Sequence, residues 1–288
     1  MWIDLDADSG AVPGWNATTP AKRRPGRQPK YSRQAIETSV TIGLVYHLPL
    51  RQSEGFLNSL FSLLKLKADV PDHTTVSRRK RSLGKLGLSA PKSTQPVHIL
   101  IDSSGLKIHV GNLRKPPDSR DWRKLHLGVD ERTGDIIACE LTSKTARDAA
   151  RVSSLLKQVD RPIASCRADS AYDDSRVYKA VENHKGTRSP TVLIPPRKGA
   201  RIAPKSPTSR ERNRNIRSRA RLGKRRWHTE SGYSRRAKVE TTFSRYKNII
   251  GPAMRSRNLA AQRVEARVGC AILNRMTALG MPDGYVVA

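Results

Sequence analysis

Acidic residues are in short supply in this 288-residue chain: 25 Asp and Glu stand against 55 Lys and Arg, a formal charge of +30. An imbalance that large repels itself and seeks a polyanion, nucleic acid first and an anionic membrane surface second. Long apolar runs are missing too. None approaches the roughly 20 residues of a bilayer-spanning helix, so no membrane-embedded role is expected. Cysteine is scarce: Cys139, Cys166 and Cys270 lie far apart and form no CxxC pair. That argues against a thiolate zinc site and for buried free thiols in a reducing cytoplasm. The opening stretch "MWIDLDADSGAVPGWNATTP" lacks the basic-then-apolar order of a signal peptide. Aromatics are few at 5%, and hydrophobic residues reach only 36%, so the core is lean. The length suits one large domain plus a small one.

What is present changes in texture along the chain. Residues 1–30 read as an irregular arm turning basic at "KRRPGRQPK". Two readings stand for it: an arm lying in a minor groove, or a solvated linker. Residues 31–90 read as three short helices. Ser32 is a cap for the first, with Ile36, Val40, Leu44 and His47 on one side. Leu50, Phe56, Leu57, Leu60, Leu63 and Leu64 have helical spacing in the second. Pro71 and Asp72 start the third, which carries Arg78, Arg79, Lys80 and Arg81. A basic last helix is the layout of a helix-turn-helix entering a major groove; the rival is a small bundle with a solvated basic face.

Residues 95–282 read as an α/β domain, because strands and helices interleave. "VHILIDSSG" is a strand ending in Asp102, and "KLHLGVDERTGDIIACEL" a hairpin turning at Gly134. "PIASCRADSAYDD" is a strand ending in Asp169, "SRVYKAVENH" a helix, and "TVLIPP" a strand stopped by prolines. Residues 197–226 hold 13 Lys and Arg and a single acid. Such a stretch is expected to be a mobile basic insertion that orders on phosphates.

One late helix carries a pattern. At about 100° per residue, and with Tyr233 as zero, Arg236, Glu240 and Lys247 fall at roughly −60°, −20° and −40°. These four share one edge, and Val239, Phe243, Tyr246 and Ile250 form the adjoining apolar stripe. Glu240 competes with Glu230 and Glu265 for a role, and Asp169 with Asp173 and Asp174, which suit a helix start better. Asp102, Asp169 and Glu240 brought together would repel by about 4 kcal/mol per pair at roughly 4 Å and an effective dielectric of about 20. A cation must join them. Oxygen-only ligands suit Mg²⁺ or Mn²⁺, and two such ions clamp the attacking and leaving oxygens of a phosphoryl displacement. Arg236 and Lys247 are then phosphate ligands, and Tyr233 hydrogen-bonds a phosphate or stacks. Two further residues keep open readings: His126 near the site or structural, and Trp227 stacked on an extruded base or part of a core.

The pattern Y-x2-R-x3-E-x6-K, matched by Tyr233, Arg236, Glu240 and Lys247, resembles the signature of bacterial insertion-sequence DDE transposases of the insertion-sequence-five type. "LIDSSGLK" and "RADSAYDD" resemble the segments bearing that group's two aspartates, which map to Asp102 and Asp169. "WRKLHLGVDERTGDI", "LPLRQSEGFL" and "PDHTTVSRRKR" extend the similarity across most of residues 22–282. The resemblance implies an RNase H-like fold, a mixed five-stranded sheet with helices on both sides. It also implies a metal-dependent enzyme that nicks transposon ends and joins the 3′-OH to target DNA. Double-stranded DNA as partner, two Mg²⁺ ions (Mn²⁺ substituting), a homodimer in the active complex and a nucleoid-associated place in a bacterial cytoplasm follow as expectations. Ser170 stands where relatives carry Gly, so strain in that turn is expected. The rival class is a DNA-binding regulator without catalysis, derived from a transposase.

Overall fold

The computed structural model describes residues 11–17, 28–88, 94–108, 122–204 and 207–280. Most of the basic stretch in the 1–30 arm, and the proline-bearing loop 109–121, lie outside them. The chain divides into two compact units, residues 1–86 with 249–251, and residues 87–248 with 252–288.

The first unit is helical: α1 (Arg33–Val45), α2 (Leu50–Leu63) and α3 (His73–Arg79), the last continued by a 3₁₀ turn over Lys80–Lys85. Capping explains the starts. Ser32 accepts the Ala35 N–H at 3.1 Å, and Asp72 accepts those of Thr74 and Thr75 at 3.0 and 2.9 Å. Ile36, Val40 and Leu44 are buried as their spacing predicts; His47 is exposed. The apolar stripe expected on α2 splits. Leu57 and Phe61, four apart, face the core, whereas Leu63 and Leu64 are exposed. The arm supplies the missing filling. Val12 and Trp15 are buried in the same cluster, and the Trp15 indole donates to the Asp69 carbonyl at 2.7 Å. Residues 11–17 therefore pack as part of the helical unit while keeping an irregular backbone.

The second unit is built on β1 (Val97–Ile108), β2 (Trp122–Asp130), β3 (Ile136–Ser143), β4 (Ile163–Arg167), β5 (Thr191–Leu193) and β6 (Ala253–Met254). The sheet order is β3-β2-β1-β4-β5, with the two-residue β6 beside the far end of β1. β2 runs antiparallel to both β1 and β3, whereas β4, β5 and β6 run parallel to β1. This is a mixed RNase H-like sheet with a sixth, short strand added to the expected five. Helices α4 (Val152–Leu156), α5 (Ser175–Glu182), α6 (Pro207–Glu230), α7 (Ala237–Ile249) and α8 (Leu259–Ala278) flank it. Val97, Ile99 and Ile101 alternate into a core shared with Val152, Leu155 and Tyr178. On α8, Asn274 accepts the Ile136 N–H and donates to its carbonyl, both at 2.8 Å, so its amide covers the backbone of edge strand β3.

The 197–226 insertion differs from expectation. Most of it belongs to α6, whose inward polar side chains grip the neighbouring backbone, so it is ordered without a conventional apolar stripe. Ser170 adopts no left-handed conformation; it sits in a 3₁₀ turn, and the expected strain is absent.

Candidate active site

Sheet register brings the two aspartates together. Leu100 pairs with Arg167 across the parallel β1–β4 ladder. Two residues further along each segment stand Asp102 and Asp169. β4 stops at Arg167, while β1 continues to Ile108. Asp102 therefore lies mid-strand rather than at a strand end, beside the point where its parallel neighbour peels away. Among the described residues no strand pairs with that edge of β1 again until Lys107 meets Ala253. A notch opens there, the kind of place where active sites form in α/β sheets. Asp169 caps the turn that follows, accepting the Ala171 N–H at 2.9 Å, and Asp174 caps α5.

Arg236 ties the notch to the late helix. Its Nη2 donates to Asp102 Oδ2 at 2.9 Å, and its Nη1 to Glu240 Oε1 at 2.6 Å. The Arg236 side chain stays 15% exposed, and its Nε is buried with no hydrogen-bond partner among the described residues. Asp102 is 8% exposed. Burial pushes its carboxyl up to about 6, against the pull of Arg236 and the Ser103 N–H; the charges of Asp169 and Glu240 add to the rise. Three acids thus feel one another here, and a cation, in this conformation a guanidinium, bridges two of them. Among the described residues no group of three or more His, Cys, Asp or Glu side chains gathers tightly enough to hold a metal ion. The Arg236 guanidinium fork spans Asp102 and Glu240, two carboxylates that would otherwise repel. The all-oxygen donor set remains suited to a hard divalent ion.

The signature residues do not all share one edge. Tyr233–Arg236 is a 3₁₀ turn that precedes α7, entered through Gly232 at φ 70°, a left-handed conformation glycine adopts without strain. The tighter turn rotates Tyr233 inward. It is 8% exposed and packs against Trp227 with ring centroids 5.4 Å apart, and burial pushes its hydroxyl up to about 12. Trp227 itself is 1% exposed, held among Leu193, Leu222 and Tyr233. Its ring is a core residue and presents no face to an extruded base. Lys247 is half-buried on α7, and Glu230 ends α6, paired with Arg226 at 3.0 Å. In the first unit Arg78 and Arg81 are exposed, but Arg79 donates to the Tyr31 carbonyl and is partly buried. Arg79 serves the fold there rather than standing free for a phosphate.

Sequence reasoning missed Asp148. It accepts from Ser103 Oγ at 2.9 Å and lies 3.0 Å from Lys124 Nζ, so it touches the residue that follows Asp102 on β1. Its only signal was being the lone acid between Lys144 and Val159. His126 lies beside it, fully buried, with Nε2 2.9 Å from Thr142 Oγ1 and Nδ1 3.6 Å from Asp148. Burial outweighs that carboxylate and lowers the imidazole to about 4, so the ring is neutral and structural. Arg167 was missed too: buried at 6% exposure, it pairs with Glu131 and donates to the Gly232 carbonyl at 3.2 Å, fixing the entry to the signature turn.

A family model described as a transposase DDE domain matches residues 93–275, which include all three acids and the signature. A second model, also described as a transposase DDE domain, matches residues 1–111. Among solved structures, a piggyBac transposase synaptic complex with hairpin DNA is similar at 10% identity and a TM-score of 0.38, over 89% of this chain and 69% of that one. No helix among the described residues is long and apolar enough to cross a membrane. With its acids set around the notch of a mixed sheet and a family model matching most of its length, the chain belongs to the transposase DDE domain family.

Proposed function

We propose that this transposase binds the inverted repeats at the ends of an insertion sequence, cleaves phosphodiesters there and joins the freed 3′-OH to target DNA. The observation that carries the reading is the Arg236 bridge from Asp102 to Glu240, with Asp169 two residues past the last pair of the β1–β4 ladder. Asp102, Asp169 and Glu240 are the residues that would hold divalent ions, two Mg²⁺ with Mn²⁺ as substitute. Bound there, such ions supply Lewis acidity and charge for the attacking and leaving oxygens of an in-line displacement.

The chain's own groups do the positioning. The Ser103 N–H, 2.8 Å from Asp102 Oδ1, orients that carboxylate. Arg236 is a two-pronged donor, and a phosphate offers it the same paired oxygens that Asp102 and Glu240 offer now. Lys247 stands seven residues beyond Glu240, about 10.5 Å along the helix, and reaches a phosphate further down the strand. Tyr233 stays neutral and anchors the turn that presents Arg236. Exposed Arg78 and Arg81 on the first unit suit contacts to the end sequence. Two ends must be held at once, so the active complex is a homodimer.

Duplex oligonucleotides copied from the DNA flanking the reading frame test the reading. Nicking at the repeat end and transfer of a pre-cleaved 3′ end, both dependent on Mg²⁺ or Mn²⁺, are expected. Glu240→Ala should abolish both and leave DNA binding intact. Cleavage by that variant at the normal rate sinks the site assignment. Binding without cleavage under any divalent ion makes the protein a DNA-binding regulator instead.

A further inference from the structure

The basic insertion holds a second ordered feature that the acid site does not use. The first part of α6 runs to Gly223, where φ 73° and ψ 168° break the helix. Its inward side is fastened by polar groups. Arg212 Nε donates to the buried Asp173 carboxylate at 2.8 Å. The Asn213 amide accepts from Ala203 N and donates to its carbonyl, both at 2.9 Å. Asn215 donates to the Val192 carbonyl and Arg219 to that of Pro196, each at 2.7 Å.

The outward side is different. Arg210, Arg214, Arg217 and Arg221 are all exposed. At about 100° per residue they fall within a sector of roughly 60°, one above another. Arg214 has a partner in Glu211 at 3.3 Å; the other three make no hydrogen bond or ion pair among the described residues. A row of like charges three and four residues apart costs helix stability. Nothing in the packing requires it, because the inward residues already hold the helix.

We propose that Arg210, Arg214, Arg217 and Arg221 form a phosphate rail along which α6 tracks one sugar–phosphate backbone of duplex DNA without reading its bases. The row spans 11 residue steps, about 16.5 Å of helix, close to five base-pair steps of about 3.4 Å. Arginine suits the task because its fork matches phosphate oxygens. Backbone contacts fix position and carry no sequence information, so the rail fits DNA of any sequence, such as a target or the flank of an end. The rail is already helical without DNA, fastened by Arg212, Asn213, Asn215 and Arg219. This rests on DNA being the partner, as proposed above, but not on cleavage.

The test is the salt dependence of binding to a random-sequence duplex between 50 and 200 mM KCl. The full-length chain with Arg210→Gln, Arg214→Gln, Arg217→Gln and Arg221→Gln is compared with wild type. Each lost phosphate contact removes about 0.9 from the log–log slope, so a drop of about 3–4 is expected, with circular dichroism and Tm unchanged. A control with Lys157→Gln, Lys179→Gln, Lys185→Gln and Arg188→Gln carries the same charge change at exposed sites elsewhere. It should keep its slope within about one unit. Should the four-fold variant not fold, Arg217→Gln with Arg221→Gln is expected to lose about half as much. A wild-type slope in the rail variant, or an equal loss in the control, overturns the rail. A protein that shows the loss but never cuts DNA overturns the catalytic reading and leaves the rail standing.

Discussion

Arg236 shows how one side chain decides what a site looks like. Its helical phase from Glu240 was readable, since residues four apart meet on a helix. Its second contact, with an aspartate 134 positions earlier, was not. His126 makes the same point with a measurable consequence. Folded, it titrates near 4 because it is buried; unfolded, it titrates near 6.5. The unfolded chain therefore binds more protons between those values. The associated stability is complete above about 6.5 and is lost as pH falls toward 4. Urea unfolding at pH 7.5 and at pH 5 should differ by about 2 kcal/mol more in wild type than in His126→Asn. Equal differences in the two proteins would remove His126 as the cause. Tyr233 and Trp227 were read as candidates for contacting DNA; an aromatic in a basic stretch gives no sign of whether its ring turns outward or packs, and here both rings pack.

Among the elements, those with strong local signals came out as read. The caps at Ser32 and Asp72, the hairpin turning at Gly134 and the prolines ending β5 each involve neighbours in sequence. Elements held by distant partners did not. α6 lacks an apolar stripe, so composition suggested mobility, yet Asn213 and Asn215 fasten it to strand and loop carbonyls. β1 ran past Asp102 because β2 pairs with it through Lys107, a pairing not evident from the polar "SSG" that follows the aspartate. At the other edge of the sheet, Asn274 supplies both hydrogen bonds of Ile136. Asn274→Leu leaves a buried N–H and carbonyl unpaired and should cost about 2–4 kcal/mol in chemical denaturation. A loss under about 0.5 kcal/mol would mean that the edge strand finds other partners.

For the whole molecule, the dominant quantity is the charge of +30. Self-repulsion of that size opposes the compact state and is screened over a Debye length of about 10 Å at 0.1 M salt. Tm should therefore climb by several degrees as KCl rises from 20 to 300 mM, followed by calorimetry at pH 7.5. A Tm indifferent to salt would show that the basic residues are already neutralised by local pairing. The same charge leaves bases in excess, and one acid can take two of them: Glu131 pairs with Arg167 and Arg235 together.

By itself the sequence determined the excess of basic charge, the alternation of strands and helices, the helix caps, and which acids and bases belong to one family pattern. Those properties follow from composition and from spacings of a few residues, where side chains meet whatever the rest of the chain does. The tertiary structure alone decided that Asp102 and Asp169 come close enough for their charges to interact, that Arg236 bridges to Asp102, that Tyr233 and Trp227 turn inward, and that a stretch of arginines becomes a helix. Each of these depends on strand register or on a partner tens of residues away, and no local propensity encodes such a distance.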